Sequence, residues 1–275
     1  MDKIVAVTSE KEQLNKKRTS YAPKTVSKVL AVLECFSLEH PELTAEEIRN
    51  KLNLSISTLY RYLMSMEMEG YLERDNLTNR YKIGLHILEL AGITLSQMDI
   101  RRHGQIELDQ LSAKLKLNAN LGLLFQGDIL HIAFSISNEV DKMYAVLGRR
   151  TAAHITAMGK AIYANLPKKV VSDIIKQYGW RPNTPKSIYN FPTLFDELDK
   201  TYNRGYSLDC EENNIGVWCV GAPIFKSGGE VVGALSVTST RDYIKQNLSD
   251  VSKAVIEHAS HLSSKLGYIG NYFQR

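Results

Sequence analysis

The chain has 275 residues, more than the roughly 100 to 150 of a usual single domain, so its length predicts two domains. Hydrophobic residues make up 44% and charged residues 23%, a composition that allows hydrophobic cores and excludes wholesale disorder and long coiled coils. A formal net charge of +4 favours an anionic partner only weakly, so a nucleic-acid site must be argued from the placement of the cations.

Cysteine usage and hydropathy restrict the setting of the protein. Cys35, Cys210 and Cys219 form no CxxC pair and have no histidine at ligand spacing, so the sequence predicts no metal site, no cofactor and no disulfide framework. The N-terminus has no apolar core segment, and no run approaches the roughly 20 apolar residues that span a bilayer. These features predict a cytoplasmic protein with no membrane association.

The first part of the chain predicts a tail and two helices. Residues 1–23 are polar and aperiodic, which predicts a mobile tail. Apolar residues at helical spacing follow until shortly before His40. Thr44 and Glu47 then form a capping-box pattern at the start of a short helix, because each side chain can bond the backbone N–H of the other residue.

The next predicted helix begins after Ser55 as its N-cap and ends near Gly70. At 100° per residue its side chains divide into two faces. The face predicted to be apolar contains Ile56, Leu59, Leu63 and Met66. The opposite face contains Ser57, Thr58, Arg61 and Ser65. Small hydroxyl side chains and one guanidinium suit a helix that enters the major groove of DNA, although an ordinary amphipathic surface helix shows the same pattern.

The segments around this helix favour the DNA interpretation. Two short strand-like runs, 71–74 and 80–83, flank a turn-rich segment, 75–79. A capped helix, a short turn, a helix with a small polar face and a hairpin, in that order, predict a winged helix-turn-helix domain over residues 24–84. The predicted DNA-binding residues are Ser55, Ser57, Thr58, Tyr60, Arg61, Arg80 and Lys82.

The rest of the chain predicts a linker helix over 85–99 and an α/β domain over 100–270, so the fold class is α+β. The linker helix is apolar nearly all round, which predicts burial on more than one side, against both domains or against a second subunit. Predicted strands lie at 120–125, 129–136, 143–147, 205–210, 217–225 and 230–238. Predicted helices lie at 100–115, 157–165, 168–178, 194–204 and 248–266, the last with Asn247 as its cap.

Strand parity predicts a polar patch in the second domain. If residues 226–229 form a hairpin loop, Phe225 pairs with Glu230 and Cys219 lies opposite Ser236. Val217 then lies opposite Thr238, so that the Cys219 thiol and the Ser236 and Thr238 hydroxyls share one face of the sheet. Close packing of small residues is the alternative explanation.

Two further features suggest a ligand. Thr156 is a predicted N-cap, and the first-turn amides of Ala157 and Met158 can bind a carboxylate or phosphate, although most helix starts bind only water or their cap. The acidic residues Asp209, Glu211 and Glu212 can accept hydrogen bonds from ligand hydroxyls or form a solvated turn.

Together these residues resemble the IclR family of bacterial transcription regulators, from about Lys24 to Gly267. The motifs that carry the resemblance are 57–61, 70–72, 81–85, 157–161, 222–225 and 235–237. The resemblance implies a winged-helix domain that binds a double-stranded DNA operator, a linker helix used in dimerisation and a GAF-like effector-binding domain. It also implies a small carboxylate metabolite held by Ala157, Met158, Asp209, Cys219, Ser236 and Thr238.

The sequence therefore predicts a repressor that acts as a homodimer or homotetramer. Residues 148–150 and 209–213 are similar to regulators of sugar-acid catabolism, which suggests a sugar-acid effector. Ile56 departs from the family pattern, because a lysine is common at this position. A redox-responsive regulator using Cys219 or Cys210 is an alternative, although no cationic neighbour lowers a thiol pKa. An enzyme with Cys219 as nucleophile is less favoured, since the sequence supplies no identifiable base.

Overall fold

Residues 23–137 and 146–270 are described by the computed structural model, and the chain divides into two units, Met1–Thr94 and Leu95–Arg275. The predicted tail, apart from Pro23, lies outside the described residues. The predicted strand at 143–147 does so as well for residues 143–145. Among the described residues, no helix is both long enough and apolar enough to cross a bilayer.

The first unit contains the predicted helix-turn-helix and wing. Its helices are α1 (Lys24–Leu33), α2 (Ala45–Leu52) and α3 (Ile56–Met68), and its strands are β1 (Glu42–Thr44), β2 (Leu72–Arg74) and β3 (Arg80–Ile83). The strands form an antiparallel sheet in the order β1-β3-β2. Strand β1 was not predicted. A segment of three residues is too short for alternation of polar and apolar side chains to indicate a strand. Only its pairing with β3 defines β1.

Local chemistry explains why α2 and α3 begin and end where they do. The predicted capping box is present, with Thr44 accepting from the Glu47 amide and the Glu47 carboxylate accepting from the Thr44 amide. Asn53 ends α2 in the left-handed region, at φ 50° and ψ 48°, which asparagine tolerates better than most side chains. Ser55 then caps α3 by accepting from the Thr58 amide at 3.3 Å.

Burial confirms most of the predicted apolar face of α3. Leu59, Leu63 and Met66 are buried in the first unit's core, which also contains Val32, Ile48 and Leu72. Ile56 was assigned to this face but is 42% exposed. It occupies the first position of the helix, where the chain has only just turned away from the core. The outward surface of the α3 N-terminus therefore includes an aliphatic side chain.

After the wing, α4 (Leu85–Ser96) contains no residue that this chain buries. Leu85 is 77% exposed, and Leu88, Leu90 and Ile93 are also exposed. Of the two predicted coverings, burial within the chain is not found, and burial against a second subunit stays a prediction. An apolar pattern predicts that a surface will be covered, but it cannot say whether the covering residues belong to the same chain.

The second unit is a six-stranded antiparallel sheet with helices on both faces. The strands run in the order β6-β5-β4-β9-β8-β7. They are β4 (Asn118–Phe125), β5 (Asp128–Ser135), β6 (Arg150–Ala152), β7 (Ser207–Cys210), β8 (Val217–Phe225) and β9 (Val231–Thr240). The helices are α5 (Asp99–Leu115), α6 (Ala157–Tyr163), α7 (Lys168–Tyr178), α8 (Phe191–Arg204) and α9 (Arg241–Lys265). The predicted α+β class, a winged helix-turn-helix followed by an α/β domain, is confirmed.

Two cores separate the faces of this sheet. One contains residues of α5 and α9 with the strand residues Leu121, Val220 and Leu235. The other contains residues of α6, α7 and α8 with Ile129 and Ala234. In α9, two helical segments meet at a kink at Asn247, whose backbone is non-helical. The second segment follows Asn247, as predicted, whereas the first segment, capped by Thr240, was not predicted. Successive residues of a strand face opposite sides of the sheet, so neighbours such as Ala234 and Leu235 belong to different cores.

The predicted β8–β9 register is wrong by two residues, although the predicted face is correct. Cys219 lies opposite Thr238 and Gly221 opposite Ser236, whereas the prediction placed Cys219 opposite Ser236. Phe225 pairs with Val231, so the loop is one residue longer than assumed, and an irregularity between Ile224 and Phe225 adds a second shift. Two one-residue shifts restore the parity, and the thiol and both hydroxyls therefore remain on one face.

Candidate DNA-binding and effector-binding sites

The predicted recognition surface lies at the exposed N-terminal half of α3. Ser55, Ser57, Tyr60 and Arg61 are exposed, and Thr58 is half-buried. Among the described residues, the Arg61 guanidinium makes no hydrogen bond or ion pair. Ser55 and Thr58 are partly committed to the cap, because the Ser55 hydroxyl also donates to the Thr58 hydroxyl at 2.8 Å. Arg61 therefore has the side chain best able to bind a phosphate or a guanine.

The two predicted wing cations are engaged within the first unit. The Arg80 guanidinium donates to the Glu42 carbonyl at 3.0 Å and to the Glu47 carboxylate at 3.3 Å. Lys82 pairs with Glu73 at 3.1 Å. Both pairs are exposed, so they are weak and can exchange for phosphate contacts. Arg80 nevertheless has a structural role that the sequence did not suggest, because it joins β3 to β1 and to the cap of α2.

A cavity of about 300 Å³ opens in the second unit on the α6 side of the sheet. Its wall contains all six residues predicted for an effector, Ala157, Met158, Asp209, Cys219, Ser236 and Thr238. It also contains nine residues that were not predicted: Asn118, Asn120, His131, Arg149, Thr151, Thr156, Asn213, Asn214 and Val217. Asn118 and Asn120 of β4 lie opposite Thr238 and Ser236 of β9, respectively. The parity argument would therefore have found both asparagines if the β4–β9 pairing had been known.

Close packing positions the start of α6 against β8. A Cβ atom on Gly159 would lie 2.0 Å from the Ala153 carbonyl oxygen, and one on Gly221 would lie 2.9 Å from the Ala157 carbonyl carbon. Glycine is therefore required for this approach. Thr156 caps α6 by accepting from the Gly159 amide at 3.1 Å. First-turn amides have no acceptor one turn earlier, so those of Ala157 and Met158 stand at the cavity wall with hydrogen-bonding capacity.

Asp209 is a buried carboxyl group in this wall. Its Oδ1 accepts from the Glu212 amide at 2.8 Å and from the Asn213 amide at 3.3 Å. Burial raises the pKa of Asp209 to about 7, the nearby Lys160 ammonium opposes this rise, and the Glu212 carboxylate adds to it. Lys160 is itself buried in an ion pair with Glu212. Near neutral pH, Asp209 therefore exists in both protonation states and can donate to or accept from a ligand hydroxyl.

One polar atom of the wall lacks a hydrogen-bond partner. The Asn118 carbonyl oxygen accepts from the Ser137 amide at 2.9 Å, but the buried Asn118 Nδ2 donates to no acceptor among residues 23–137 and 146–270. Leaving a buried donor unsatisfied costs about 1 to 3 kcal/mol. The Nδ2 atom has almost no exposed surface, so a ligand oxygen in the cavity would reach it only after the side chain turns. His131, a further wall residue, has a pKa lowered to about 4, chiefly by burial and also by the Arg149 charge.

The cysteines and the buried histidine do not form a reactive site. The Cys219 sulfur lies 3.3 Å from the Thr238 hydroxyl, and burial raises the pKa of its thiol. Burial also raises the pKa of Cys210 to about 11. Both thiols are therefore protonated at neutral pH, which disfavours thiolate chemistry. His154 accepts from the Arg181 amide and packs edge-on against Trp180, which makes it a core residue and not a base beside Cys219.

The winged helix and the polar cavity define a DNA-binding protein with a separate ligand-binding domain. The family model "IclR helix-turn-helix domain" matches residues 25–76, and "Bacterial transcriptional regulator IclR C-terminal" matches residues 92–264. The chain belongs to the IclR family of bacterial transcription regulators, which confirms the resemblance identified from the motifs. It is therefore a transcription regulator and not an enzyme.

Three similar proteins illustrate the match. The regulator KdgR of Dickeya chrysanthemi is 29% identical over 245 residues, which cover 89% of this chain and 80% of that protein. The Thermotoga maritima IclR crystal structure superimposes with a TM-score of 0.70 at 30% identity, covering 89% of this chain and 99% of that one. An IclR homologue from Microbacterium hydrocarbonoxydans, complexed with 4-hydroxybenzoate, gives a TM-score of 0.77 at 21% identity, covering 88% and 99%, respectively.

Proposed function

We propose that the cavity in the second unit binds a small, hydroxyl-bearing carboxylate, such as a sugar acid, and that this effector controls binding of α3 to operator DNA. The observation that carries the proposal is the polar cavity wall built from β4, β8, β9 and the start of α6, which includes the Asn118 amide. An effector oxygen would accept from this amide. The 4-hydroxybenzoate bound by the Microbacterium homologue is also a carboxylate, which supports this ligand class.

Charge distinguishes two parts of the proposed site. The Arg149 side chain and the Ala157 and Met158 amides supply positive potential for the effector carboxylate. Asp209 repels a carboxylate when it is ionised, so it suits the hydroxyl groups of the effector. Cys219, Ser236 and Thr238 would then contact the effector between these two ends.

On DNA, the proposed recognition surface is the exposed N-terminal half of α3. Arg61 would contact a guanine or a phosphate, while Ser57 and Tyr60 would contact the adjacent backbone or base edges. Ser55 and Thr58 hold the helix start and lie at the same surface. Arg80 and Lys82 would reach phosphates after exchanging their carboxylate partners.

The proposed active form is a homodimer or homotetramer, and the dimer contact is α4. This helix exposes Leu85, Leu88 and Ile93, and a second copy of the chain would cover them. Two winged helices on paired half-sites would then bind one operator. We propose that the effector releases the operator, so that the protein acts as a repressor.

A ligand screen tests the proposal. Purified protein is mixed with sugar acids, oxo acids and aromatic acids, and thermal unfolding is followed. A ligand at 100 times its dissociation constant stabilises the native state by about 2.7 kcal/mol. We expect a sugar acid to raise the melting temperature of the wild type and of Arg61→Ala, but not that of Asn118→Asp. Equal stabilisation of wild type and Asn118→Asp, or stabilisation by none of these acids, would contradict the proposed site.

A further inference from the structure

A second cluster of ligating side chains lies between α5 and α9, on the opposite face of the sheet from the cavity. Glu107 of α5 is buried, His258 of α9 is buried, and His261 of α9 is exposed. The Glu107 Oε2 atom lies 2.8 Å from His258 Nδ1 and 3.8 Å from His261 Nδ1. The three potential ligand atoms all lie within 4.8 Å of one another.

These distances suit a small metal ion. A zinc ion binds imidazole nitrogen and carboxylate oxygen at about 2.0 to 2.2 Å, so two such ligands of a tetrahedral site lie about 3.3 Å apart. The two measured separations, 2.8 and 3.8 Å, bracket that value. The exposed His261 ring can move by this difference without disturbing the core. Two imidazoles and one carboxylate are a ligand set that favours zinc and neighbouring transition metals over calcium or magnesium.

We propose that Glu107, His258 and His261 bind one zinc-class divalent ion, with solvent completing its coordination. The ion takes Glu107 Oε2 and one nitrogen from each imidazole, and His258 Nδ1 gives up its hydrogen bond to the carboxylate. The ion joins α5 to α9, two helices that share one core of the second unit. This proposal does not depend on the effector or on its cavity.

Lys265 supplies both the competing explanation and a test. Its ammonium lies 2.7 Å from the other Glu107 oxygen, Oε1, and the side chain is partly exposed. Without an ion, Lys265 and His258 compensate the buried carboxylate, and that ion pair alone could explain the cluster. With an ion, the Lys265 charge opposes the metal. Removal of this ammonium must therefore tighten metal binding, whereas a purely structural cluster binds no metal in either form.

Sequence spacing could not reveal this site. His258 and His261 are three residues apart on one helix, but Glu107 precedes His258 by 151 residues. The sequence-based prediction of no metal site relied on short spacings around the cysteines. The fold brings the carboxylate and the imidazoles together, and only the packing of α5 against α9 shows it.

The experiment uses untagged full-length protein, stripped of metal with a chelator and titrated with Co²⁺ and Zn²⁺. Calorimetry gives affinity and stoichiometry, and the visible absorption of Co²⁺ reports its ligands. We expect one ion per chain, with no charge-transfer band from cysteine sulfur. Removal of a residue that hydrogen-bonds to a metal ligand weakens metal binding roughly 10- to 100-fold. His261→Ala removes a ligand itself, so it should weaken binding at least as much. Lys265→Gln should tighten it, and the control His40→Ala should leave it unchanged.

The opposite changes in His261→Ala and Lys265→Gln separate this site from adventitious binding elsewhere. His261 is largely exposed, so its replacement leaves the core intact. Lys265→Gln removes a charge beside the buried Glu107 carboxylate but keeps a hydrogen-bond donor there, which limits the loss of stability. Failure of the wild type to bind either ion would overturn the proposal. Equal affinity in wild type and His261→Ala, or a sulfur charge-transfer band, would overturn it as well.

Discussion

The α3 surface and the cavity wall both combine hydroxyl side chains with one or two charged groups, in opposite surroundings. On α3 these groups face solvent, and water satisfies them until DNA arrives. In the cavity wall, Ser236, Asp209 and Asn118 are buried, and Asn118 Nδ2 lacks a hydrogen-bond partner within the described part of the chain. The exposed surface costs the native state little, whereas the buried one destabilises it until a ligand enters.

This difference separates the expected effects of substitution. Changes on α3 should affect DNA binding and leave folding alone. Changes in the cavity wall should alter both ligand binding and the stability of the second unit. Substitutions at Asp209, Asn118, Arg61 and Arg80 test this contrast, in decreasing order of expected effect.

Asp209→Asn should reduce the dependence of stability on pH. The folded-state pKa of Asp209, about 7, lies above its ordinary value of 3.8, so the folded state holds this proton more tightly. The contribution of this proton to the free energy of unfolding is fully present below pH 3.8 and is lost as pH rises through about 7. Asparagine stays neutral and keeps an oxygen for the Glu212 and Asn213 amides. The quantity to compare is the free energy of unfolding of the variant minus that of wild type. We expect this difference to be roughly 2 to 4 kcal/mol more positive at pH 8 than at pH 4.

The measurement is chemical unfolding at several pH values, followed by tryptophan fluorescence. Trp180 and Trp218, the only two tryptophans, both belong to the second unit, so the signal reports that unit alone. Glu73→Gln, an exposed change in the first unit, is the control and should leave the pH profile unchanged. A wild-type profile retained in Asp209→Asn would show that Asp209 does not titrate as described.

Asn118→Asp should weaken binding of the carboxylate effector by about tenfold or more. The substitution keeps an oxygen to accept from the Ser137 amide and replaces the unpaired donor with an acceptor. Loss of a hydrogen bond to a charged group costs about 1.5 to 3 kcal/mol, and repulsion between carboxylates adds to it. Calorimetric titration measures the change. The control is Asn190→Asp, which retains the oxygen that caps α8. Unchanged affinity in Asn118→Asp would remove this amide from the effector site.

Arg61→Ala should weaken specific operator binding by roughly 1 to 3 kcal/mol if the guanidinium reads a base. Effector binding and thermal stability should not change, because the side chain is exposed and makes no ion pair with the described residues. Fluorescence anisotropy with operator and random DNA measures both affinities. Arg61→Lys is the matched control: recovery by lysine would indicate a phosphate contact, and full operator affinity in the alanine variant would reject α3 as the reading helix.

Arg80→Ala should have the smallest effect on the operator. Its guanidinium already bonds the Glu42 carbonyl and the Glu47 carboxylate, so a phosphate contact must replace existing contacts. We expect a smaller loss of DNA affinity than for Arg61→Ala, together with a slightly lower melting temperature of the first unit. Parallel anisotropy and calorimetry measure both. A loss as large as that of Arg61→Ala would mean that the wing binds DNA as strongly as α3.

Features governed by local chemistry were predictable from the sequence. The capping box at Thr44 and the Ser55 cap are contained within four residues each, and both are present. The face shared by Cys219, Ser236 and Thr238 was also predictable, because parity survives two one-residue shifts. The loop length and the bulge themselves were not, since both depend on how β8 and β9 pack.

Features that depend on distant pairing could not be predicted. Asn118 and Asn120 join the cavity only because β4 pairs with β9, and strand order is not visible in one sequence. The engagement of Arg80 with Glu47 spans 33 residues. For α4, the apolar pattern predicts a surface that is covered, and its exposure in this chain leaves a second subunit as the predicted cover.

The most direct test of the central claim is the coupling between effector and operator. Operator DNA is first selected from a random pool, and its affinity is measured with and without the sugar acid found by the ligand screen. We predict that the effector weakens operator binding by wild type about 5- to 150-fold, that DNA weakens effector binding by the same factor, and that Asn118→Asp shows neither change. An operator affinity that the bound effector leaves unchanged in wild type would contradict the account.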